Sequence, residues 1–186
     1  MGILDADNLV LTEREYRRIS EMVYQHCGIN LHNGKKDLIR TRLAKWLRKG
    51  NFETFDDYIQ HVLDDKTGRE FSILIDSLST NLTSFFREYQ HFEFMRKRLL
   101  PSLMERRKKQ QRFRIRGWSA GCSSGEEAYS IAITLLDAAS SQGRWDMKLL
   151  ATDISTQMLE TAQEGIYEQQ RVAAVGPERT NKYLVS

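Results

Sequence analysis

The hydrophobic period changes between Arg112 and Ser140, and few folds accommodate that change. Arg112-Phe113-Arg114-Ile115-Arg116 alternates charged and apolar residues at period two, the pattern of a strand. The chain then runs through WSAGCSSGEEAYSIAI, Trp118 to Ile133, where a glycine turn opens into a helical stretch predicted from Glu126 to about Ser140. Tyr129, Ile131, Ile133, Leu135 and Leu136 give that helix a broad apolar side. Lys148 to Asp153 reads as a second strand and Thr156 to about Gly165 as a second helix. Strand, helix, strand, helix at this spacing begins a parallel α/β sheet. Doubly wound sheets normally have five or more strands, so residues 112–186 are expected to form the first half of a Rossmann-like domain, with an association-prone open sheet.

The preceding residues keep the helical period. Thr12-Glu13-Arg14-Glu15 fits a capping box, and Tyr16, Ile19, Met22 and Val23 carry helix one to about His26. Asn33 or Asp37 starts a second helix with Ile39, Leu43, Trp46 and Leu47 on its apolar side. Thr54 caps a third, and Phe71, Leu74, Ile75 and Leu78 mark a fourth. Residues 1–79 are therefore a small all-helical domain. Residues 80–111 carry the motif TNLTSFFRE, Thr80 to Glu88, and a helical linker in which Pro101 must kink the helix or begin a new one.

The 186 residues suit one medium domain or a small one joined to part of another. No run approaches the roughly 18 apolar residues that span a bilayer, and the N-terminus lacks a secretory pattern, so a cytoplasmic address without membrane insertion is expected. Cys27 and Cys122 are isolated, and His26, His32, His61 and His91 are scattered; neither a disulfide framework nor a metal site is implied. The net charge is only +3, but Lys35, Lys36, Arg40, Arg42, Lys45, Arg48 and Lys49 crowd one segment with a single aspartate. Such a block is either a solvated helix face or an attractor of acidic partners. The basic run Arg106 to Arg112 lacks the interleaved aromatics of a nucleic-acid surface, and no nucleic acid is expected as a partner.

Gly117, Gly121 and Gly125 are not spaced as a dinucleotide fingerprint. Glu126 and Glu127 occupy the first helical turn, where a phosphate would otherwise be welcome. Two carboxylates there either complement the helix dipole or favour a cationic ligand. Asp153, at the end of the second strand, either caps the next turn or accepts hydrogen bonds from ribose hydroxyls. Taken together they describe a ligand with ribose and an ammonium but no phosphate, such as S-adenosylmethionine.

TNLTSFFRE, WSAGCSSGEEAYSIAI and LLATDIS, with the basic helix KKDLIRTRLAKWLRKG and GIYEQQRV, resemble the chemotaxis receptor methyltransferases, the CheR family, over about residues 10 to 185. The resemblance implies methyl transfer from S-adenosyl-L-methionine to glutamate side chains on the cytoplasmic helical bundle of chemoreceptors, giving methyl esters and S-adenosyl-L-homocysteine. It implies cofactor contacts at Asn81, Thr83, Arg87, Glu127 and Asp153, with Arg87 also catalytic, orienting the acceptor carboxylate. It gives Arg40, Arg42, Lys45, Arg48 and Lys49 to receptor binding. Family members continue with a β subdomain and further strands; this sequence stops at NKYLVS, about where that subdomain would begin, so a chain truncated within the methyltransferase domain, with self-association, is expected. A same-fold methyltransferase with another substrate, or a non-catalytic receptor-binding module, are the other readings.

Overall fold

The computed structural model describes residues 9–31, 34–140 and 142–185, so Asn33 and His32 lie outside the described residues. The chain divides into two compact units, Met1–Thr80 and Asn81–Ser186.

The first unit holds four helices, α1 (Glu13–Cys27), α2 (Lys36–Gly50), α3 (Phe55–Asp64) and α4 (Arg69–Leu78). Both capping boxes form, Thr12 with Glu15 and Thr54 with Asp57, satisfying amides that a helix start leaves orphaned. Glu15 does more than cap. Its Oε2 accepts from the Thr12 amide at 2.8 Å while Oε1 accepts from the Asp56 amide at 3.2 Å, so one buried carboxylate ties the starts of α1 and α3 together. Ile19, Val23, Leu43, Leu47 and Leu74 are fully buried at the centre of the bundle. Arg42, on α2, donates from Nη1 to the carbonyls of Leu78 at 2.7 Å and Ser79 at 2.9 Å. A cation at the end of α4 satisfies orphaned carbonyls and complements the helix dipole.

The second unit contains the motif 81–88, α5 (Tyr89–Phe94), α6 (Leu100–Lys109), β1 (Arg114–Ala120), α7 (Glu126–Ala139), β2 (Asp146–Thr152), α8 (Thr156–Glu164), α9 (Gln169–Val172) and α10 (Pro177–Tyr183). Pro101 lies in the first turn of α6, as expected of a proline that begins a new helix. A π-helical stretch, Met95–Leu99, joins α5 to α6, and the Leu100 amide reaches the Met95 carbonyl. The wider turn falls just where proline removes a donor and crowds the preceding turn.

The strands β1 and β2 pair in parallel from Arg114 with Asp146 to Ala120 with Thr152. Helices α6 and α7 cover one sheet face, where Leu100, Met104, Ile115 and Leu135 are buried with Met147 packed against them. The other face leaves Trp118 67% and Leu150 59% exposed at paired positions. Leu136, expected on the buried side of α7, is 46% exposed; Ser130 and Thr134 are buried there instead, their hydroxyls returned to the backbone of the preceding turn. A second core joins Phe85, Phe86 and Phe92 to Ile133 and Val175, with Tyr129, Tyr167 and Tyr183 packed against it. Residues 81–109 are thus built into this unit by their apolar side chains.

Candidate functional site

Part of the backbone strain lies in the two motifs, besides Asn51 and Gln111 elsewhere. Phe86 (φ 52°), Glu88 (φ 54°) and Ser123 (φ 49°) are left-handed without being glycine. For a phenylalanine this costs about 1–2 kcal/mol and persists only where surroundings over-determine it. At Phe86 they do. Its amide donates to Ser130 Oγ at 2.9 Å, its ring meets Phe92 edge-on at 5.0 Å, and the Arg179 guanidinium lies 4.8 Å from the ring centre.

Ser123 links the motifs. Its Oγ donates to the Asn81 carbonyl at 3.0 Å and its amide to Asp153 Oδ2 at 2.7 Å. Asp153 Oδ1 in turn accepts from the Ser155 amide at 2.9 Å, and Ser155 caps α8. The strand-end aspartate therefore does cap the next turn, and each of its oxygens retains acceptor capacity. Glu127 is exposed at the start of α7, its Oε1 accepting from Ser119 Oγ on β1 at 2.6 Å. Asn81, Glu127 and Asp153 so converge on the loop between β1 and α7. Thr83 is half-buried and Arg87 exposed; Arg87 Nη1 donates to the Leu82 carbonyl at 2.7 Å, and among the described residues no hydrogen bond joins either of them to Glu127 or Asp153.

Glu126 and Glu127 do opposite things. Glu126 is wholly buried and paired with Arg171, and its Oε2 accepts from Ser124 Oγ at 2.7 Å. Arg171 also donates to Ser124 Oγ at 3.1 Å, and the Tyr167 hydroxyl donates to the Ser124 carbonyl at 2.5 Å. Burial, then the charge of Glu126, pushes the Tyr167 hydroxyl upward, so it remains a donor. Only one carboxylate of the pair is open to solvent. The sequence signal for the anchors was Tyr167 and Arg171 four apart in GIYEQQRV, but nothing local says which turn they reach.

The turn is not an anion cradle. The amides of Gly121 and Cys122 go to the Thr152 carbonyl, that of Ser123 to Asp153 and that of Gly125 to Cys122. Burial, then the negative charge of Asp153, raises the Cys122 thiol, which stays protonated. Gly121 is exposed at φ 86°, and a Cβ built there would meet nothing within 4 Å. Open space over a close backbone approach, an outward carboxylate and a second carboxylate with spare acceptor capacity fit a cationic nucleoside and oppose a phosphate.

The profile for the CheR methyltransferase SAM binding domain matches residues 81–186, and that for the CheR methyltransferase all-alpha domain matches residues 14–79. This chain belongs to the CheR methyltransferase family. It is 42% identical over 179 residues to the chemotaxis protein methyltransferase of Borreliella burgdorferi, covering 95% of this chain and 63% of that protein. It is 38% identical to the chemotaxis protein methyltransferase of Salmonella typhimurium, over 95% of this chain and 58% of the relative. To that of Escherichia coli it is 37% identical, over 96% and 59%. The chain thus spans about three fifths of the length of these relatives. The fold is the one expected of the CheR family: an all-helical domain followed by part of a Rossmann-like methyltransferase domain. Among the described residues no helix is long and apolar enough to cross a membrane.

On α2 the basic residues divide. Lys45, Arg48 and Lys49 are exposed, with Lys49 Nζ 4.8 Å from the Trp46 ring centre. Arg40 is half-buried, 3.9 Å from Asp37. Arg42 is engaged with the end of α4.

Proposed function

We propose that this chain is the helical domain and cofactor-binding part of a chemotaxis protein methyltransferase, working in the cytoplasm on glutamate side chains of chemoreceptors. The observation that carries the reading is Ser123, which binds Asn81 with its hydroxyl and Asp153 with its amide, bringing both cofactor motifs to one turn. The names of the relatives and the family profiles support the same assignment.

When bound, S-adenosylmethionine supplies an electrophilic methyl group on a sulfonium. The residues around the turn bind and orient. Glu127 holds a cationic amine, Asp153 accepts from ribose hydroxyls, and Asn81 and Thr83 hold the amino-acid end. Arg87, its guanidinium plane set by the Leu82 carbonyl, presents its remaining donors to the acceptor carboxylate, for which a planar fork is well shaped. A glutamate is already ionised at neutral pH, so no general base is needed. The residues act by alignment and exclusion of water.

Lys45, Arg48, Lys49 and Arg40 draw the acidic receptor helices into encounter, while Arg42 serves the same surface indirectly by fixing α2 to the end of α4. The proposed parts are the receptor-facing domain 1–79, the motif and helices 80–111 and the α/β portion 112–186. Titration calorimetry with S-adenosylhomocysteine tests the cofactor site, and transfer of a labelled methyl group to chemoreceptor membranes tests the acceptor. Binding without transfer favours a receptor-binding module; absence of binding removes the reading.

A further inference from the structure

Glu126 is the most deeply buried charge in the second unit, and methyl transfer as derived above makes no use of it. Its carboxylate is fully enclosed, with Arg171 as its cation and Ser124 Oγ on its other oxygen. Ser124 is held a second time, through its carbonyl, by the Tyr167 hydroxyl. Tyr167 is itself wedged edge-on between Phe85, at 5.0 Å, and Tyr129, at 5.9 Å, and the Arg171 guanidinium lies 5.6 Å from its ring centre. Two side chains, Tyr167 and Arg171, therefore hold Ser124 and Glu126 from behind, and Phe85 and Tyr129 brace the Tyr167 ring. Phe85 belongs to the other cofactor motif, so the same clamp also contacts that segment.

We infer that Tyr167 and Arg171 are positioning residues that lock the first turn of α7 and thereby aim Glu127 at the cofactor. Successive helical residues point about 100° apart. Once Glu126 is fixed inward, Glu127 must turn outward, and the lock sets the register at which its carboxylate meets Ser119 Oγ on β1. The pairing must be complete to work. A buried carboxylate deprived of its cation is strongly unfavourable, whereas removing both charges is often nearly neutral. The inference rests on the reading of Glu127 as a cofactor ligand.

The test uses the full gene product and S-adenosylhomocysteine as the probe. Arg171→Met is expected to weaken binding tenfold or more, Arg171→Lys to restore part of it, and the double variant Glu126→Gln with Arg171→Met to restore most. Tyr167→Phe, which removes only the hydroxyl on the Ser124 carbonyl, is expected to weaken binding severalfold and keeps the test alive if Arg171→Met does not fold. The Michaelis constant for the cofactor rises in these variants while the turnover number at saturation changes less than threefold, and hydrogen exchange of the amides at 123–128 accelerates without ligand. Wild-type protein that ignores the probe sinks the functional reading. Wild-type binding that persists within twofold in both Arg171→Met and Tyr167→Phe, with exchange unchanged, overturns the lock alone.

Discussion

Gly121 and Gly125 look alike in sequence and differ in what a side chain would cost. At Gly125, φ 98°, an added Cβ would lie 2.7 Å from Tyr167 Oη and 2.9 Å from Ala162 Cβ. Left-handed strain and overpacking add, so Gly125→Ala is expected to destabilise by about 3 kcal/mol, read as a lower urea midpoint. Gly121→Ala meets open space and carries only the strain, about 1–2 kcal/mol, but places a methyl where the backbone is open to a ligand. It is expected to lose cofactor affinity out of proportion to stability, a comparison calorimetry and urea unfolding make together. Arg87 belongs at this scale too. Its side chain is exposed and the one backbone group it holds, the Leu82 carbonyl, belongs to an exposed residue, while Phe85 and Phe86 keep the motif packed, so Arg87→Ala is expected to lower turnover roughly 100-fold with a smaller fall in cofactor affinity. Unchanged receptor methylation would remove it from the chemistry.

One carboxylate on α7 gathers polar contacts from α10, beside the apolar packing of Tyr183. Asp137 accepts from Tyr183 Oη at 2.6 Å and Arg179 Nε at 2.9 Å, with Lys182 at 3.5 Å. Burial, the largest influence, pushes its carboxyl up, but the hydrogen bonds from Tyr183 and Arg179 and the charges of Arg179 and Lys182 together outweigh it, and the net direction is down from 3.8. A group lowered on folding contributes stability above its unfolded value and loses it as pH falls through the folded one. Asp137→Asn is therefore expected to lower the urea midpoint at neutral pH, and the gap from wild type is expected to narrow on acidification below about pH 4. A gap of constant size would mean that Asp137 acts by shape alone. Because Arg179 also stacks on Phe86, loosening α10 is expected to reach the strained residue of the cofactor motif.

For the molecule as a whole, charge and open surface matter more than any one contact. Lys45 and Lys49 are exposed on α2 and free of the α4 contact that engages Arg42. Reversing both to glutamate is expected to raise the apparent Michaelis constant for receptor several-fold, most at low salt, with the cofactor constant unchanged. A receptor constant that does not move would count against the encounter role. Trp118 and Leu150, paired on the uncovered sheet face, form an apolar surface with strand edges beside it. We propose that this face makes the chain self-associate in isolation; Trp118→Lys is expected to shift its sedimentation toward monomer.

Periodicity located α1, α3, α4, α7 and both strands, because each element writes its burial into local spacing and its start into a cap such as Thr12 or Thr54. The motif resemblance identified the CheR family, and composition placed the basic block on α2. Contacts between distant residues decided the rest. Nothing adjacent to Glu126 reveals that it is buried against Arg171 while Glu127 stays in solvent, since both glutamates satisfy the same helix-start preference and only packing of residues 167–171 separates them. Arg42 likewise reads as one more surface cation until α4 ends beside it. The sequence by itself determined the elements and the chemistry they carry; which charges are free to meet a ligand was settled only by tertiary structure, because desolvation and pairing depend on neighbours that arrive from elsewhere in the chain.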